Sequence, residues 1–196
     1  MGQYFTNEKL PSNMHDYQVG MFGHLFTFTT DNGVFSKRGL DFGTRVLLEN
    51  IPLTEVHGEV LDLGCGYGVV GVILGKVTEA KLTMCDVNRR ALHLARRNLE
   101  KNGVTSATVL ESDVYAGLKD QKFDLIITNP PIRAGKKVVY DFLLGARDHL
   151  SKKGALYFVV RKEQGAKSIL SDMEKYYHVS IVNKIKGFFV IRCDFD

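Results

Sequence analysis

Apolar and polar positions alternate along most of this chain in the manner of a layered α/β protein. From residue 60 onward, short apolar runs are separated by longer segments in which apolar residues recur every three or four positions. This alternation is typical of a parallel sheet that is covered by helices on both faces. The predicted parallel strands are residues 60–63, 81–85, 108–110, 123–128 and 155–160.

The end of the chain predicts an antiparallel closure of this sheet. Two apolar runs, residues 178–184 and 188–193, are joined through Lys186 and Gly187, a short connection that suits a hairpin. The final strand is therefore expected to run against the others. We predict a Rossmann-like, doubly wound α/β sheet of seven strands, mostly parallel, with an antiparallel last strand.

Helices are predicted between the strands. The clearest covers residues 88–101, where Asn88 is suited to cap the helix, Leu92, Ala95 and Leu99 repeat on one face, and Gly103 follows the end. Further helices are expected at residues 41–50, 136–150 and 166–176.

The first fifty residues differ in pattern from the rest of the chain. Residues 25–29 alternate in polarity, Asp31, Asn32 and Gly33 give a strong turn signal, and residues 34–35 resume an extended run. This pattern predicts a β-hairpin. We treat residues 1–50 as an amino-terminal cap with a hairpin and residues 51–196 as the core of a single domain.

Composition supports a packed globular protein. The 196 residues are 44% hydrophobic and 24% charged, with only four prolines, which excludes disordered and collagenous classes. The longest apolar runs have strand length, so no membrane span is expected, and no signal peptide is recognisable. Cys65, Cys85 and Cys193 form no Cys-x-x-Cys pair, so we expect no metal site and a reducing, cytoplasmic location.

Positive charge is concentrated in one stretch of the sequence. The chain has a net charge of +4, yet residues 133–162 alone contain eight basic and two acidic residues. Such a region suits a surface that binds a polyanion, because each neutralised phosphate releases counterions. Charge alone leaves open the alternative that these lysines and arginines are simply solvated.

The first chemical motif is a glycine-rich turn between a strand and a helix. Residues 60–71 read VLDLGCGYGVVG, which places Gly64, Gly66 and Gly68 directly after the strand. Glycine lets a backbone turn tightly and approach a ligand closely. The spacing also satisfies the dinucleotide fingerprint, with Asp86 about 20 residues further on, so spacing alone leaves NAD open as the ligand.

Acidic residues at the ends of three successive strands favour another cofactor. Asp62 would face the pyrophosphate of a dinucleotide, whereas it suits the cationic head of S-adenosylmethionine. Asp86 is expected to accept from the ribose diol, and Asp113 from the adenine amino group. With the residues that follow them, Val87 and Val114, these acids complete the expected S-adenosylmethionine pocket.

The second chemical motif ends the fourth strand. Pro130 and Pro131 remove two backbone donors and hold Asn129 extended, which leaves the Asn129 side-chain carbonyl and the Pro130 carbonyl as neighbouring acceptors. Acceptors of this kind hold an amine and stabilise the positive charge that develops on its nitrogen during transfer. We predict these three residues to be catalytic, with Asn129 acting through orientation rather than as a base.

Together these motifs resemble the class I S-adenosylmethionine-dependent methyltransferases that modify exocyclic or amide nitrogens. The segments Gly33 to Ser36, Leu40 to Thr44, Asp62 to Gly68 and Asn129 to Ile132 are similar to the small-domain family related to the ribosomal RNA guanine methyltransferase RsmC. The resemblance implies that Phe35 and Ser36 close over the cofactor and that the Asn-Pro-Pro loop holds the guanine amine.

Two departures from the family pattern are visible. The larger enzymes carry an additional amino-terminal domain for which this sequence has no length, and an aromatic residue commonly follows the second proline where this chain has Ile132. An aliphatic side chain stacks less well on a base, so Phe35 or another residue is expected to supply the platform.

The sequence therefore predicts an N-methyltransferase that acts on the exocyclic amine of a guanine in ribosomal RNA, free or within a ribosomal subunit. Arg133, Lys136 and Lys137 are expected to contact its phosphates. Adenine in DNA and a protein glutamine amide remain alternative substrates. A non-catalytic RNA-binding module and an NAD-dependent oxidoreductase remain alternative functions, and homodimer formation is left open. The histidines His24, His93 and His149 lack metal-ligand spacing and receive no role.

Overall fold

The computed structural model describes residues 10–195, which form two sheets and five α-helices. A two-stranded sheet near the amino terminus precedes a seven-stranded central sheet. The strands of the small sheet are β1 (His15–Met21) and β2 (His24–Thr30). Those of the central sheet are β3 (Glu59–Leu63), β4 (Lys81–Asp86), β5 (Ala107–Glu111), β6 (Phe123–Thr128), β7 (Leu150–Arg161), β8 (His178–Ile185) and β9 (Phe188–Asp194).

The central sheet has the order β5-β4-β3-β6-β7-β9-β8. Strands β3 to β7 pair in parallel, whereas β9 runs antiparallel to both β7 and β8. The prediction of a mostly parallel seven-stranded sheet with an antiparallel last strand is thus confirmed. The strand order reverses beside β3, and open α/β sheets bind ligands outside the carboxyl ends of the strands at such a point.

Five α-helices cover the two faces of this sheet. On one face, α1 to α3 and the hairpin pack against Val60, Leu125 and Tyr157; on the other, α4 and α5 pack against Leu61 and Ile126. The helices are α1 (Phe42–Asn50), α2 (Val69–Val77), α3 (Arg89–Lys101), α4 (Lys136–Gly145) and α5 (Ala166–Met173). Within the described residues, none of them combines the length and apolar character that crossing a membrane requires.

Two predicted helix starts are confirmed by their caps. The Asn88 side chain accepts from the Ala91 N–H at the start of α3, and the Asp41 carboxylate accepts from the Thr44 N–H at the start of α1. Such side chains satisfy backbone donors that have no partner within the helix. The sequence located the start of α3 from its capping residue Asn88 and the start of α1 from the apolar pattern that follows Asp41.

The predicted helix at residues 136–150 is too long. Helix α4 ends at Gly145, a short 3₁₀ turn follows, and β7 already begins at Leu150 rather than at residue 155. Leu150 pairs with Phe123 of β6, and the register then shifts before Leu125. A β-carbon on Gly154 would lie 2.7 Å from the Phe123 carbonyl oxygen, so glycine allows the close approach at this irregularity.

The amino-terminal hairpin forms, but from other residues than predicted. Strand β2 pairs with the preceding β1, not with residues 34–35, and the turn lies at Phe22 and Gly23, which both have positive φ. Two positive φ angles match the twist of a two-residue hairpin. The predicted turn residue Asp31 instead accepts from the Asn13 and Asn32 N–H groups, directing the chain into a loop.

Two asparagines of α3 attach this hairpin to the core. The Asn98 amide accepts from the Thr29 N–H at 2.7 Å and donates to the Thr29 carbonyl at 2.9 Å. Asn102, one turn later, makes the same pair of bonds to Thr27. The helix thereby satisfies the backbone edge of β2 that a neighbouring strand would otherwise pair. Asn98 also donates to the Tyr67 carbonyl at 2.8 Å, so it joins the hairpin to the glycine-rich turn.

We expect Asn98→Ala to lower the free energy of unfolding by about 2–4 kcal/mol, because it leaves buried backbone groups of Thr29 and Tyr67 without partners. His93→Ala, on the exposed face of the same helix, should change it by less than about 0.5 kcal/mol. Urea unfolding of both variants measures the difference. Similar unfolding free energies for the two variants would show that the Asn98 contacts do not hold the hairpin.

Candidate active site at the carboxyl edge of the sheet

The predicted site residues converge at one edge of the sheet. Strands β3, β4, β5 and β6 are parallel, so the glycine-rich turn, Asp86, Asp113 and Asn129 all lie at or just after strand ends on the same side. The order of these strands places the turn after β3 between the residues that follow β4 and β6. The structure thus brings together motifs that lie far apart in the sequence.

The glycine-rich turn adopts a backbone that requires glycine. Gly64, Gly66 and Gly68 have φ angles of +72°, +55° and +95°. A β-carbon on Gly68 would also lie 3.2 Å from the Ala95 backbone, whereas one on Gly66 would meet nothing within 4 Å. Gly68 is therefore required for packing against α3, while the side of Gly66 is open to an approaching molecule.

Asp86 fixes the shape of this turn. Its carboxylate accepts from the Gly66 N–H at 2.8 Å and from the Asn88 N–H at 2.9 Å. Burial raises the pKa of the Asp86 carboxyl, and the backbone hydrogen bonds oppose that rise. A carboxylate has about four acceptor positions, and the Gly66, Asn88 and Val87 N–H groups use three of them, so Asp86 can hold the turn and still accept from a ligand. Val87, directly after it, is half-buried at the same strand end.

Asp62 is a buried carboxylate next to the same turn. It is only 3% exposed, and it accepts from the Gly71 N–H in the first turn of α2 at 2.9 Å. Burial raises the pKa of the Asp62 carboxyl to about 7, against the stabilising hydrogen bond from Gly71. A cationic group that approached this carboxylate would favour its ionised form.

Asp113 and Val114 line an open cleft beyond β5. The cleft has a volume of about 390 Å³ and is also bordered by Tyr115, Tyr140 and Asp141. Asp113 is exposed, whereas Val114 has a φ of +51°, an unusual angle for a β-branched residue. The Ser112 hydroxyl donates to the Val114 carbonyl at 2.7 Å and supports this conformation. Aromatic walls with a carboxylate at the rim suit a flat heterocycle that carries an amino group.

A loop that contains Phe35 and Ser36 is tied to the glycine-rich turn. The Tyr67 hydroxyl donates to the Ser36 carbonyl at 3.2 Å, and the Tyr17 hydroxyl of β1 lies 2.8 Å from the Tyr67 hydroxyl. The loop is further held by Asn88, which donates to the Gly33 carbonyl. The predicted closing residues therefore lie beside the turn. Tyr67 was not assigned a role from the sequence, since nothing in its position predicts which backbone its hydroxyl meets.

Asn129 is oriented by two residues at the start of the first helix. Its side-chain nitrogen donates to Asp41 Oδ2 at 3.1 Å and to Thr44 Oγ1 at 3.0 Å. Both amide hydrogens are thus used, and the carbonyl oxygen Oδ1 is left as the acceptor. Asp41 and Thr44 received no catalytic role from the sequence, although an aspartate just before an apolar helical pattern is a helix-capping signal.

The Pro130 carbonyl is less available than the sequence indicated. It accepts from the Ile132 N–H at 2.9 Å in an inverse γ-turn centred on Pro131, whose φ and ψ are −77° and 77°. One of its two lone pairs is therefore already used within the chain. Asn129 Oδ1 is the more accessible of the two predicted acceptors.

The basic segment predicted from residues 133–162 does not form one surface. Arg133, Lys136 and Lys137 lie in the 3₁₀ turn and first turn of α4, close in sequence to Asn129. Lys152 and Lys153, in contrast, lie near the start of β7, whose Leu150 pairs with the first residue of β6. They are therefore at the opposite edge of the sheet from Asn129. The whole segment cannot contact a ligand at Asn129, because a parallel strand carries the chain from one edge to the other.

Comparisons with known proteins show which family this chain belongs to. The family model "Methyltransferase small domain" matches residues 25–192. A relative described as uncharacterized protein YbxB, from Bacillus subtilis, is 40% identical over 197 residues, covering 98% of both chains. The ribosomal RNA small subunit methyltransferase C of Aeromonas hydrophila subsp. hydrophila is 43% identical over 132 residues, which cover 65% of this chain and 37% of that protein.

A solved structure carries a similar fold. It is described as the T. Thermophilus 16S rRNA N2 G1207 methyltransferase (RsmC) in complex with AdoMet and guanosine. The TM-score is 0.84, with 27% identity over 96% of this chain and 52% of that one. The match thus spans about half the length of the T. Thermophilus enzyme and about two fifths of the Aeromonas hydrophila enzyme.

The burial of Asp62 predicts a dependence of stability on pH. Its pKa is about 7 in the folded protein and near 3.8 in the unfolded chain, so between these pH values only the folded state holds the proton. Stability contributed by this group is present at low pH and is lost as pH rises toward 7. Asp62→Asn keeps an acceptor for Gly71 but cannot ionise.

From pH 4.5 to pH 7.5, the Asn variant should therefore gain stability relative to the wild type, on the order of 1 kcal/mol or more. Urea unfolding of the cofactor-free proteins at both pH values measures this change. A difference between the two proteins that stays constant with pH would contradict the assignment.

Proposed function

Since the chain belongs to the methyltransferase small-domain family, we propose that it is an S-adenosylmethionine-dependent N-methyltransferase for the exocyclic amine of a guanine in ribosomal RNA. The observation that carries this proposal is the orientation of Asn129, whose amide hydrogens are bound to Asp41 and Thr44 so that its carbonyl oxygen is available to an amine. The likeness to a ribosomal RNA enzyme described with AdoMet and guanosine supports the choice of guanine.

The residues at the sheet edge fit S-adenosylmethionine. The open side of Gly66 admits a ligand to the turn, the buried Asp62 carboxylate suits a cation, and Asp86 has acceptor capacity for a ribose hydroxyl. A dinucleotide would bring its pyrophosphate toward Asp62, which disfavours NAD. When bound, S-adenosylmethionine supplies an electrophilic methyl group. The residues that would hold it are Phe35, Ser36, Asp62, Gly64, Gly66, Gly68, Asp86, Val87, Asp113, Val114 and Asn129.

Asn129 acts on the amine by orientation and by charge stabilisation. Its Oδ1 accepts a hydrogen bond from the amino group, which aligns the nitrogen lone pair and stabilises positive charge as it develops there. Pro130 and Pro131 keep the loop rigid, and the remaining lone pair of the Pro130 carbonyl provides a second acceptor. An amide is not a base, so the proton leaves the nitrogen for solvent after methyl transfer.

The first turn of α4 supports contacts with a polyanion. Lys136 and Lys137 occupy this turn, no side chain caps it, and it contains no acidic residue. The positive end of a helix favours a phosphate, and these lysines add attraction to it, since the exposed Lys137–Asp141 pair at 2.8 Å is weak. We assign Arg133, Lys136 and Lys137 to phosphates beside the target nucleotide, within cytoplasmic ribosomal RNA or a ribosomal subunit.

The direct test is methyl transfer in vitro. The purified protein is incubated with methyl-labelled S-adenosylmethionine and with small-subunit ribosomal RNA, free or assembled, and the nucleosides are then analysed by mass spectrometry. Methylated guanosine is the expected product. Methyl transfer to DNA adenine or to a protein glutamine, with none to RNA, would overturn the proposal, as would thermal stabilisation by NAD but not by S-adenosylmethionine.

Asn129→Ala should reduce kcat about 100-fold or more, because the variant lacks the group that stabilises the developing charge. Affinity for S-adenosylmethionine should change by less than about 1 kcal/mol. Thr44→Val removes one of the two partners that orient the amide and should reduce kcat by about 2- to 12-fold. Single-turnover kinetics measures the rate of methyl transfer, and calorimetry measures the affinity for S-adenosylmethionine. Equal reductions in cofactor affinity and kcat would indicate that the loop has only a structural role.

Replacing Arg133, Lys136 and Lys137 with alanine should weaken RNA binding uniformly across sequences. The slope of log affinity against log salt should fall by about 0.7–0.9 for each phosphate that the variant no longer neutralises, with unchanged affinity for S-adenosylmethionine. Filter binding at several salt concentrations measures this slope. The matched control is Lys152→Ala with Lys153→Ala at the far edge of the sheet, and equal slopes for control and triple variant would contradict the assignment.

A further inference from the structure

Four side chains form an aromatic and basic surface on the other side of Asn129 from α4. We call Phe42, Phe188, Arg161 and Lys186 the aromatic–basic rim. Phe42 is the first residue of α1, and Phe188, the first residue of β9, pairs with Arg161, the last residue of β7. Lys186 lies in the turn between β8 and β9. Because β9 is antiparallel, its beginning lies at the same sheet edge as the carboxyl ends of the parallel strands.

The rim pairs each cation with an aromatic ring. The rings of Phe42 and Phe188 lie 5.4 Å apart with their planes at 65°. The Arg161 guanidinium is 5.1 Å from the centre of the Phe188 ring, and the Lys186 ammonium is 5.5 Å from that of Phe42. Phe42 is 38% exposed, and Arg161 and Lys186 are exposed. The surface therefore offers apolar rings and positive charge to solvent together.

The rim is next to the residues that orient Asn129. A β-carbon on Gly43 would lie 2.9 Å from the Phe188 ring and 3.0 Å from the Asp41 carboxylate, so only this glycine separates the two. Asp41 in turn accepts from the Asn129 amide. Helix α1 covers one face of the sheet and α4 the other. A strand of nucleic acid that presents a base to Asn129 can thus meet Lys136 and Lys137 on one side and the rim on the other.

The rim is also predominantly positive. Lys162 lies beside Arg161, and Glu163 is the acidic residue of this turn, 3.4 Å from the Arg161 side chain. Both members of that pair are about half exposed or more, so the pair is weak and a phosphate can replace the carboxylate. An apolar protein surface would have to remove water from these cations without compensating them, whereas an RNA strand compensates them with phosphate.

We propose that the aromatic–basic rim binds unpaired RNA nucleotides adjacent to the target guanine, an inference that rests on the proposed function. Bases stack on Phe42 and Phe188 while Arg161 and Lys186 contact phosphates. Stacking requires an exposed base face, so the strand must be single-stranded at this point. The rim supplies the aromatic surface that Ile132 does not, because Ile132 packs partly against the core below α4.

The test compares matched rim and control variants in binding a short unstructured RNA with one guanine and the same sequence as a duplex. Phe42→Leu keeps an apolar side chain but removes the ring, and it should weaken binding of the single strand about tenfold. Arg161→Gln with Lys186→Gln should lower the salt slope by about 1.4. Lys152→Ala with Lys153→Ala should leave the affinity for the single strand and the salt slope unchanged. Stabilisation by S-adenosylmethionine checks that each variant is folded.

Several outcomes would overturn the inference: no binding of RNA by the wild type, equal affinity of Phe42→Leu and wild type for the single strand, or equal weakening for single strand and duplex. Rim variants that no longer bind a ribosomal protein but still bind RNA like the wild type would also overturn it. Methyl transfer to ribosomal RNA with an unchanged KM in the rim variants refutes the rim and leaves the proposed function standing. RNA binding through the rim without any methyl transfer refutes the proposed function and supports the rim.

Discussion

The Asn98 amide makes the contact on which the rest of the site depends. This side chain is fully buried in α3, yet it satisfies both backbone groups of Thr29 in the hairpin and the carbonyl of Tyr67 in the glycine-rich turn. A buried amide whose partners come from two different segments fixes their relative position, because an unmade bond in the interior is costly. The hairpin, the loop that bears Phe35 and the glycine-rich turn are therefore positioned by one helix.

The Asp41 side chain likewise has two partners, the start of α1 and Asn129. The Asp41 carboxylate caps α1 by accepting from the Thr44 N–H, and the same oxygen accepts from the Asn129 amide. The start of a helix thus becomes part of the site without an additional residue. Since α1 also carries Phe42, the geometry of the acceptor and the position of the aromatic–basic rim are set by the same helix start.

Much of this arrangement was predictable from local pattern. Apolar periodicity located the strands of the central sheet, the capping residue Asn88 located the start of α3, and the alternating glycines located the tight turn. The sequence also carries a signal for Asn98: this residue lies on the apolar stripe of α3 with Ala91, Leu94 and Ala95, where a polar side chain needs a buried partner. The partner itself, the edge of β2, is 69 residues away, and no local pattern identifies it.

The sequence by itself determined the element types, the parallel sheet, and the convergence of the acids and Asn129 at one edge, because parallel strands bring all their carboxyl ends to one side. Only the tertiary structure decided which strand pairs with β2. A turn signal at Asp31 competes with one at Phe22 and Gly23, and the contacts of β2 with Asn98 and Asn102 select between the two pairings. The tertiary structure also divided the basic segment between two edges and brought Arg161, Lys186 and Phe42 together. Charge and aromatic character are local properties of a sequence, but a surface depends on the direction in which each strand crosses the sheet.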